Sequence, residues 1–376
     1  MDDNLKVIFY PHIGEYGGIE RNIIALAEEV NAMGCKPILL CFYDNVGMGK
    51  LANNLCTIEL KDHWNPFVKG RRLKKWFKEN NRKISGQSLF FGTKASFYAY
   101  ISGLNNYVLH YTDPPSLLSN AQMQNHILNW VKIPKEKISN WITWQGVKNA
   151  KRCITMTFWN AEELRLLYKR TFDVIYQGGV PTNSINLHHC IRPLSTRLRI
   201  FSICRITGSK NLDWIIYTVR NLIDDVQINQ LFPKIECMIA GEGPKLEELK
   251  LKVNELNLQE NIFFSGFLNQ EQVEDEFCKS NLFLVPAKQG YGLPILEALY
   301  RKVPVVINIE SRISEVLSNN PWVEISQNGL KSFSEQVIKH IINLNNKFPD
   351  EIHLENLPTE KKWAHDIGAY CGWWKH

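Results

Sequence analysis

The 376-residue chain contains no apolar run near the roughly 18 residues that a membrane-spanning helix requires. Its opening, Met1-Asp2-Asp3-Asn4, has neither the basic start nor the apolar stretch of a secretory leader. Nine cysteines are scattered with no close pair, which excludes a zinc motif and a disulfide framework and suits buried, reduced thiols in a cytoplasmic protein. There is no Asp-x-Asp metal pair, internal repeat or low-complexity segment, and no RNA-binding motif, so nucleic acid is not an expected partner. The remaining composition, 44% hydrophobic and 22% charged, is that of a soluble globular chain long enough for two domains.

The charge is unevenly placed. Residues 1–183 carry 23 Lys and Arg against 15 Asp and Glu, while residues 184–376 carry 21 against 23, so the whole positive excess lies in the first half. It concentrates in Lys69–Lys83, KGRRLKKWFKENNRK, where eight cations surround Trp76 and Phe77. Leu73, Trp76 and Phe77 share one helical face. With Arg71, Arg72, Lys74 and Lys75 beside Trp76, this composition suits an anionic membrane surface, at about 1 kcal/mol for each basic residue close to it. A solvated helix with its aromatic pair turned to the core is the other reading.

Apolar runs at Leu5–Tyr10, Pro37–Phe42, Cys56–Leu60, Ser88–Phe91, Tyr107–Leu109 and Cys153–Thr157 alternate with helical stretches, the rhythm of a parallel sheet wound on both faces. After Leu5–Tyr10 comes a glycine loop with Gly17 and Gly18, then apolar residues at helical spacing from Ile19 to Val30. His110 and Asp113 precede a double proline and are expected at the carboxyl edge of their strand, the side where α/β sheets bind ligands. Asn160 to Glu163 reads as a helix cap, and residues 184–197 as a linker. The same alternation resumes at Leu198–Ile203, whose carboxyl end carries Arg205, Gly208 and Lys210. Arg and Lys five apart on such a loop can meet one diphosphate, the first as a fork and the second as a point charge. Next come Ile235–Ala240 with Gly241-Glu242-Gly243-Pro244, and the strand and turn Asn261–Leu268.

The chain is organised around Asn281–Val306, NLFLVPAKQGYGLPILEALYRKVPVV. A strand stops at Pro286, glycines bracket Tyr291, and Pro294 opens a helix containing Glu297. Amides free at that helix start are suited to phosphate. Gln289, Gly290, Tyr291, Gly292, Leu293, Pro294 and Glu297 resemble the signature of retaining glycosyltransferases of family 4, in which Glu, seven residues, Glu frames a Gly-aromatic-Gly-Leu-Pro core. This chain departs from it by carrying Gln289 where the first Glu is usual.

The resemblance implies an α/β GT-B fold: two Rossmann-like doubly wound domains facing across a cleft. An acceptor domain would cover residues 1–183, joined by a returning C-terminal helix at 361–376, and a donor domain residues 198–360. It implies a retaining, metal-independent hexosyl- or deoxyhexosyltransferase, without cofactor, that moves a sugar from a nucleotide sugar to a glycan or lipid-linked acceptor. Arg205, Lys210, Gln289 and His110 would be catalytic. Gly17, Gly18, Gly241, Gly290, Tyr291, Gly292, Leu293 and Glu297 would hold the donor. The protein would be cytoplasmic and dock on the inner face of a membrane. Gln289 leaves open a silent nucleotide-sugar-binding subunit, and the fold also admits a nucleotide-sugar epimerase.

Overall fold

The computed structural model describes residues 4–52, 54–112, 133–181 and 196–374. Contacts divide the chain into two units, Met1–Gly178 with Pro358–His376, and Gly179–Leu357. The change of unit at Gly178/Gly179 and the return at Pro358 differ by a few residues from the expected boundaries. Of the expected linker, 184–195 lies outside the described residues.

The first unit contains β1 (Leu5–Phe9), β2 (His12–Ile13), β3 (Lys36–Cys41), β4 (Tyr43–Asp44), β5 (Cys56–Glu59), β6 (Ser88–Phe91), β7 (Tyr107–Tyr111), β8 (Arg152–Thr155) and β9 (Asp173–Val174). Seven of these form one parallel sheet in the order β5-β3-β1-β6-β7-β8-β9, and β2 pairs with β4 beside it. β1, β6 and β7 are buried at every position, as strands covered on both faces must be. One face carries Ile8, Leu89, Phe91 and Val108 in a cluster with the helix Gly18–Ala32; the other carries Val7, Phe90 and Leu109 with the helices Pro66–Asn80 and Gly92–Ile101.

The C-terminal helix Glu360–Tyr370 completes the first of these faces. Trp363, Ala364 and Ile367 are buried in that cluster, and Trp373 Nε1 donates to the Gln87 carbonyl at 2.8 Å. Arg21 Nε donates to Glu360 Oε1 at 2.9 Å.

Three expectations are corrected here. Thr157, not Asn160, caps the helix Phe158–Tyr168, accepting from the Asn160 amide at 3.2 Å. Cys278 is in a disulfide while seven other cysteines are free thiols, so the cysteine pattern no longer argues for a reducing compartment. In the helix Pro66–Asn80, Leu73 is fully buried, and Trp76 and Phe77 lie against the same core cluster. Trp76 is therefore turned to its own core rather than outward. A short helix needs tertiary packing along one face, and its three apolar residues supply it.

The second unit contains β10 (Arg197–Ile203), β11 (Lys234–Ala240), β12 (Ile262–Gly266), β13 (Leu282–Val285), β14 (Val305–Asn308) and β15 (Val323–Ser326), all parallel, in the order β12-β11-β10-β13-β14-β15. Its core joins Leu198, Ile200, Ile239, Leu282, Leu284 and Val306 to the helices Leu212–Asp224 and Leu330–Asn346. Lys302 takes a left-handed φ of 57° just past the helix Leu293–Tyr300, where glycine is usual, and its Nζ lies 2.7 Å from Glu351.

In each sheet successive strands are laid down in one direction and then in the other from a shared strand. The reversal falls between β1 and β6 in the first unit and between β10 and β13 in the second. Ligand crevices in open α/β sheets form at such points, outside the strands' carboxyl ends.

Trp363→Ala removes a side chain that is only 1% exposed and is expected to cost about 3–5 kcal/mol of stability. An unchanged urea midpoint would show that the C-terminal helix does not hold the first unit together.

Candidate active site

The second unit's site is built from loops that follow its central strands. After β10, the Ile206 amide donates to the Glu242 carbonyl at 2.8 Å, tying the Arg205 loop to the glycine loop after β11. Gly241 has φ 119° and lies against the Cys204 carbonyl, and a Cβ there would collide with that oxygen. The Gly-x-Gly of the sequence is thus what lets these two loops touch. Beyond Arg205 the 3₁₀ turn Gly208–Lys210 leads into Asn211, whose Nδ2 donates to the Pro286 carbonyl at 3.0 Å and so fixes this turn to the end of β13.

That turn brings Lys210 to Gln289. Lys210 Nζ donates to Gln289 Oε1 at 2.7 Å, and Gln289 Nε2 donates to Ser311 Oγ at 3.0 Å. Ser311 Oγ in turn donates to the Tyr291 carbonyl at 3.2 Å. Each amide atom therefore has one defined partner, and the hydroxyl accepts from one side and donates to the other. Because that partner is an amide, the Lys210 ammonium is not neutralised by it, as it would be by a carboxylate.

Gly292, at φ 110°, forms the N-cap of the helix Leu293–Tyr300, with Pro294 in its first turn. Gly290 and Tyr291 are buried and Leu293 is half-buried. Glu297 sits in the same helix at 9% exposure, and its carbonyl accepts from Arg301 Nη1 at 2.8 Å.

A cavity of about 210 Å³ opens at the switch point, lined by Cys204, Arg205, Lys210, Pro286, Gln289 and Pro294 among others. Arg205 is exposed and makes no hydrogen bond or ion pair among the described residues. An exposed guanidinium and an ammonium bonded to Gln289 thus share one concave surface, with no carboxylate among the described residues that line it. Such a surface attracts an anion with several oxygens. Among the described residues no group of three or more His, Cys, Asp or Glu is placed to hold a metal ion.

In the first unit Gly17 is the extended N-cap of the helix Gly18–Ala32. Neither Gly17 nor Gly18 has a positive φ, and a Cβ on Gly18 would meet nothing within 4 Å. The helix start is partly filled by Glu20, whose buried carboxylate accepts from the Gly17 and Glu20 amides and whose pKa is raised by burial.

His110 is corrected from catalytic to core. It is fully buried in β7, its ring 5.0 Å from Phe91 and 6.1 Å from Trp363, and neither ring nitrogen is hydrogen-bonded among the described residues. Burial holds its pKa down to about 3. The strand runs on to Tyr111, so His110 faces the sheet's packed side instead of the edge. Asp113 lies outside the described residues.

On the basic helix Arg71, Lys74 and Lys75 are exposed, while Arg72 Nη1 donates to the Lys61 carbonyl at 2.7 Å. Two aromatics that sequence reasoning passed over stand at the start of this helix: Trp64 is 88% exposed and Phe67 57%. The signal available was their position at the edge of the charge run. A cavity at the first unit's switch point was also missed. It lies beside His12, a polar residue just past the first strand.

Residues 191–346 match the family model described as Glycosyl transferases group 1. The matched stretch covers most of the second unit. The alpha-monoglucosyldiacylglycerol synthase of Streptococcus pneumoniae is 22% identical over 32% of this chain and 26% of its own length, so the chain matches about a quarter of that relative. Over the whole chain, a glycosyltransferase from Rickettsia africae superposes at TM-score 0.72 with 16% identity, covering 99% of both chains. Anabaena HepE in complex with UDP superposes at 0.72 with 14% identity, covering 98% of this chain and 99% of its own. The fold is GT-B.

Within this GT-B chain two buried histidines set an acid limit. Burial lowers His110 to about 3 and His340 to about 4, whereas in the unfolded chain both protonate near 6.5. The unfolded state thus binds more protons below that pH, and stability, complete above about 6.5, is lost as pH falls toward 4. Urea midpoints measured from pH 7.5 to 4.5 should decline, and His110→Phe should flatten part of the decline.

Proposed function

We propose that the chain is a retaining glycosyltransferase that moves a hexose or deoxyhexose from a nucleotide sugar to a hydroxyl of a glycan or lipid-linked acceptor. The observation that carries this is the pairing of Arg205 and Lys210 over one cavity at the switch point, with Lys210 anchored on the Gln289 amide. Two cations on a concave surface with no carboxylate among its described lining residues suit a diphosphate, and the solved HepE neighbour holds UDP.

In the proposed step the bond from the sugar's anomeric carbon to the diphosphate oxygen breaks, and the acceptor oxygen bonds to that carbon on the same face. The acceptor proton passes to the departing phosphate oxygen. Arg205 and Lys210 stabilise the charge developing there, in place of a metal ion. Glu297 is assigned to the ribose. Gln289 orients a sugar hydroxyl through its amide, which contributes less charge stabilisation than a carboxylate. The second reading, a silent nucleotide-sugar-binding subunit, rests on that same amide.

Titration with nucleoside diphosphates tests the reading. Arg205→Ala and Lys210→Ala are each expected to weaken binding by about 10- to 100-fold, the range for a lost charge-assisted hydrogen bond; unchanged affinity in both removes the site assignment. Transfer should persist in EDTA. Gln289→Glu would place a carboxylate on Lys210 and need a hydrogen bond from the Ser311 hydroxyl, which donates to the Tyr291 carbonyl, so it should lower the rate with the native donor. If it instead starts transfer in an inert protein, the silent-subunit reading holds.

We also assign the exposed face of the basic helix, with Arg71, Lys74 and Lys75, to an anionic membrane surface, with Trp64 and Phe67 rather than Trp76 as the apolar contacts. The relative named for a diacylglycerol product supports a lipid setting. Trp64→Ser with Phe67→Ser should reduce co-sedimentation with phosphatidylglycerol vesicles at low salt; if the unaltered protein does not sediment with them, the surface has another role.

A further inference from the structure

The first unit has its own cavity, of about 200 Å³, at the switch point between β1 and β6. It is lined by Tyr10, His12, Phe91, Thr93, Lys94 and Tyr111 among others, with no acidic residue among the described residues that line it. Its walls combine aromatic faces with hydroxyl and imidazole groups, the lining expected of a site for a polyol ring.

The chemistry of His12 is set from behind. Lys69 belongs to the basic run, yet it is only 8% exposed and turns inward, over the rings of Phe42 at 5.4 Å and Tyr98 at 5.8 Å. Its ammonium pairs with Asp62, bonds to the Tyr98 hydroxyl and lies 3.2 Å from His12 Nε2. An ammonium can only donate, so Nε2 must accept and the ring proton must reside on Nδ1. Tyr43 stacks on the ring at 5.2 Å and holds its plane. The charged groups that act on His12 are Lys69, Lys94 and Asp62. Burial first, then the two lysines, keep the ring neutral, with its pKa near 4, while Asp62 opposes them. At neutral pH His12 is thus neither a cation nor a general acid. It is an imidazole of one fixed tautomer with Nδ1–H as its remaining donor.

We propose that this cavity binds a saccharide ring of the acceptor, and that His12, held as the Nδ1–H tautomer by Lys69, is a positioning residue that donates to a ring hydroxyl oxygen. This rests on the glycosyltransferase reading, which it extends to the class of acceptor and a residue that selects it. The lysine counted from the sequence as part of a membrane-facing run instead serves the interior of the unit.

The test is nitrogen-15 NMR of the histidine side chains, with methyl glycosides of glucose, galactose and N-acetylglucosamine added at millimolar concentrations. The free protein should show His12 neutral and protonated on Nδ1 at pH 7, and at least one glycoside should shift that nitrogen. His12→Phe should weaken the glycoside about tenfold, as for one lost hydrogen bond. His12→Asn, whose amide nitrogen can stand where Nδ1 stood, should restore most of the affinity. Lys69→Met should leave His12 in mixed tautomers and weaken the same glycoside with His12 intact. Nucleoside diphosphate affinity at Arg205 and Lys210 should be unchanged in all three variants, so loss of donor binding in the parent protein would strike the glycosyltransferase reading and not this one. The inference is overturned if no glycoside shifts His12, if inorganic phosphate shifts it and glycosides do not, or if His12→Phe and His12→Asn bind the glycoside alike.

Discussion

The contact between the Lys210 ammonium and the Gln289 amide oxygen, at 2.7 Å, is the constraint on which the arrangement of the second unit's cavity depends. An amide can hold an ammonium in place without cancelling its charge, since a neutral acceptor satisfies one donor and leaves the field intact. A carboxylate at the same position would hold Lys210 as firmly and spend its charge inside the protein. Ser311 completes the arrangement by fixing which end of the amide faces the lysine. The substitution in the motif thus has a structural counterpart: the group that Lys210 meets at position 289 is neutral.

Backbone makes that contact reachable. Lys210 and Gln289 stand on loops after β10 and β13, neighbours in space because the sheet reverses direction between them. Asn211 ties the first loop to Pro286, and Gly241 lets the loop after β11 close in behind it. The buried parallel strands beneath are rigid, so side chains at their carboxyl ends keep their spacing.

The same lysine chemistry appears in the first unit with the opposite outcome. Lys69 is paired with Asp62 and sets a tautomer, whereas Lys210 donates to a neutral amide. Lys210 lines its cavity and meets an amide, while Lys69 stands behind a cavity-lining histidine and meets a carboxylate.

Much of the architecture was legible in the sequence. Strands such as Leu282–Val285 are short, apolar and bounded by Pro and Gly, so local composition determines them, and their alternation with helices determines a parallel sheet. The order Arg205, Lys210, Gly241, Gln289, Glu297 was equally readable, because each follows a strand whose carboxyl end must be a loop. What the tertiary structure alone decided is the direction in which side chains face. His110 lies in a strand buried on both faces, where no alternation of polar and apolar residues marks the side that meets a ligand, and it went to the core. Lys69 is one of eight cations in a run, and only the approach of His12, Asp62 and Tyr98 from distant positions turns it inward. Gln289 could be seen to depart from the motif, but its meaning depended on a lysine 79 residues away coming within hydrogen-bond distance, and that closure is a property of the folded sheet.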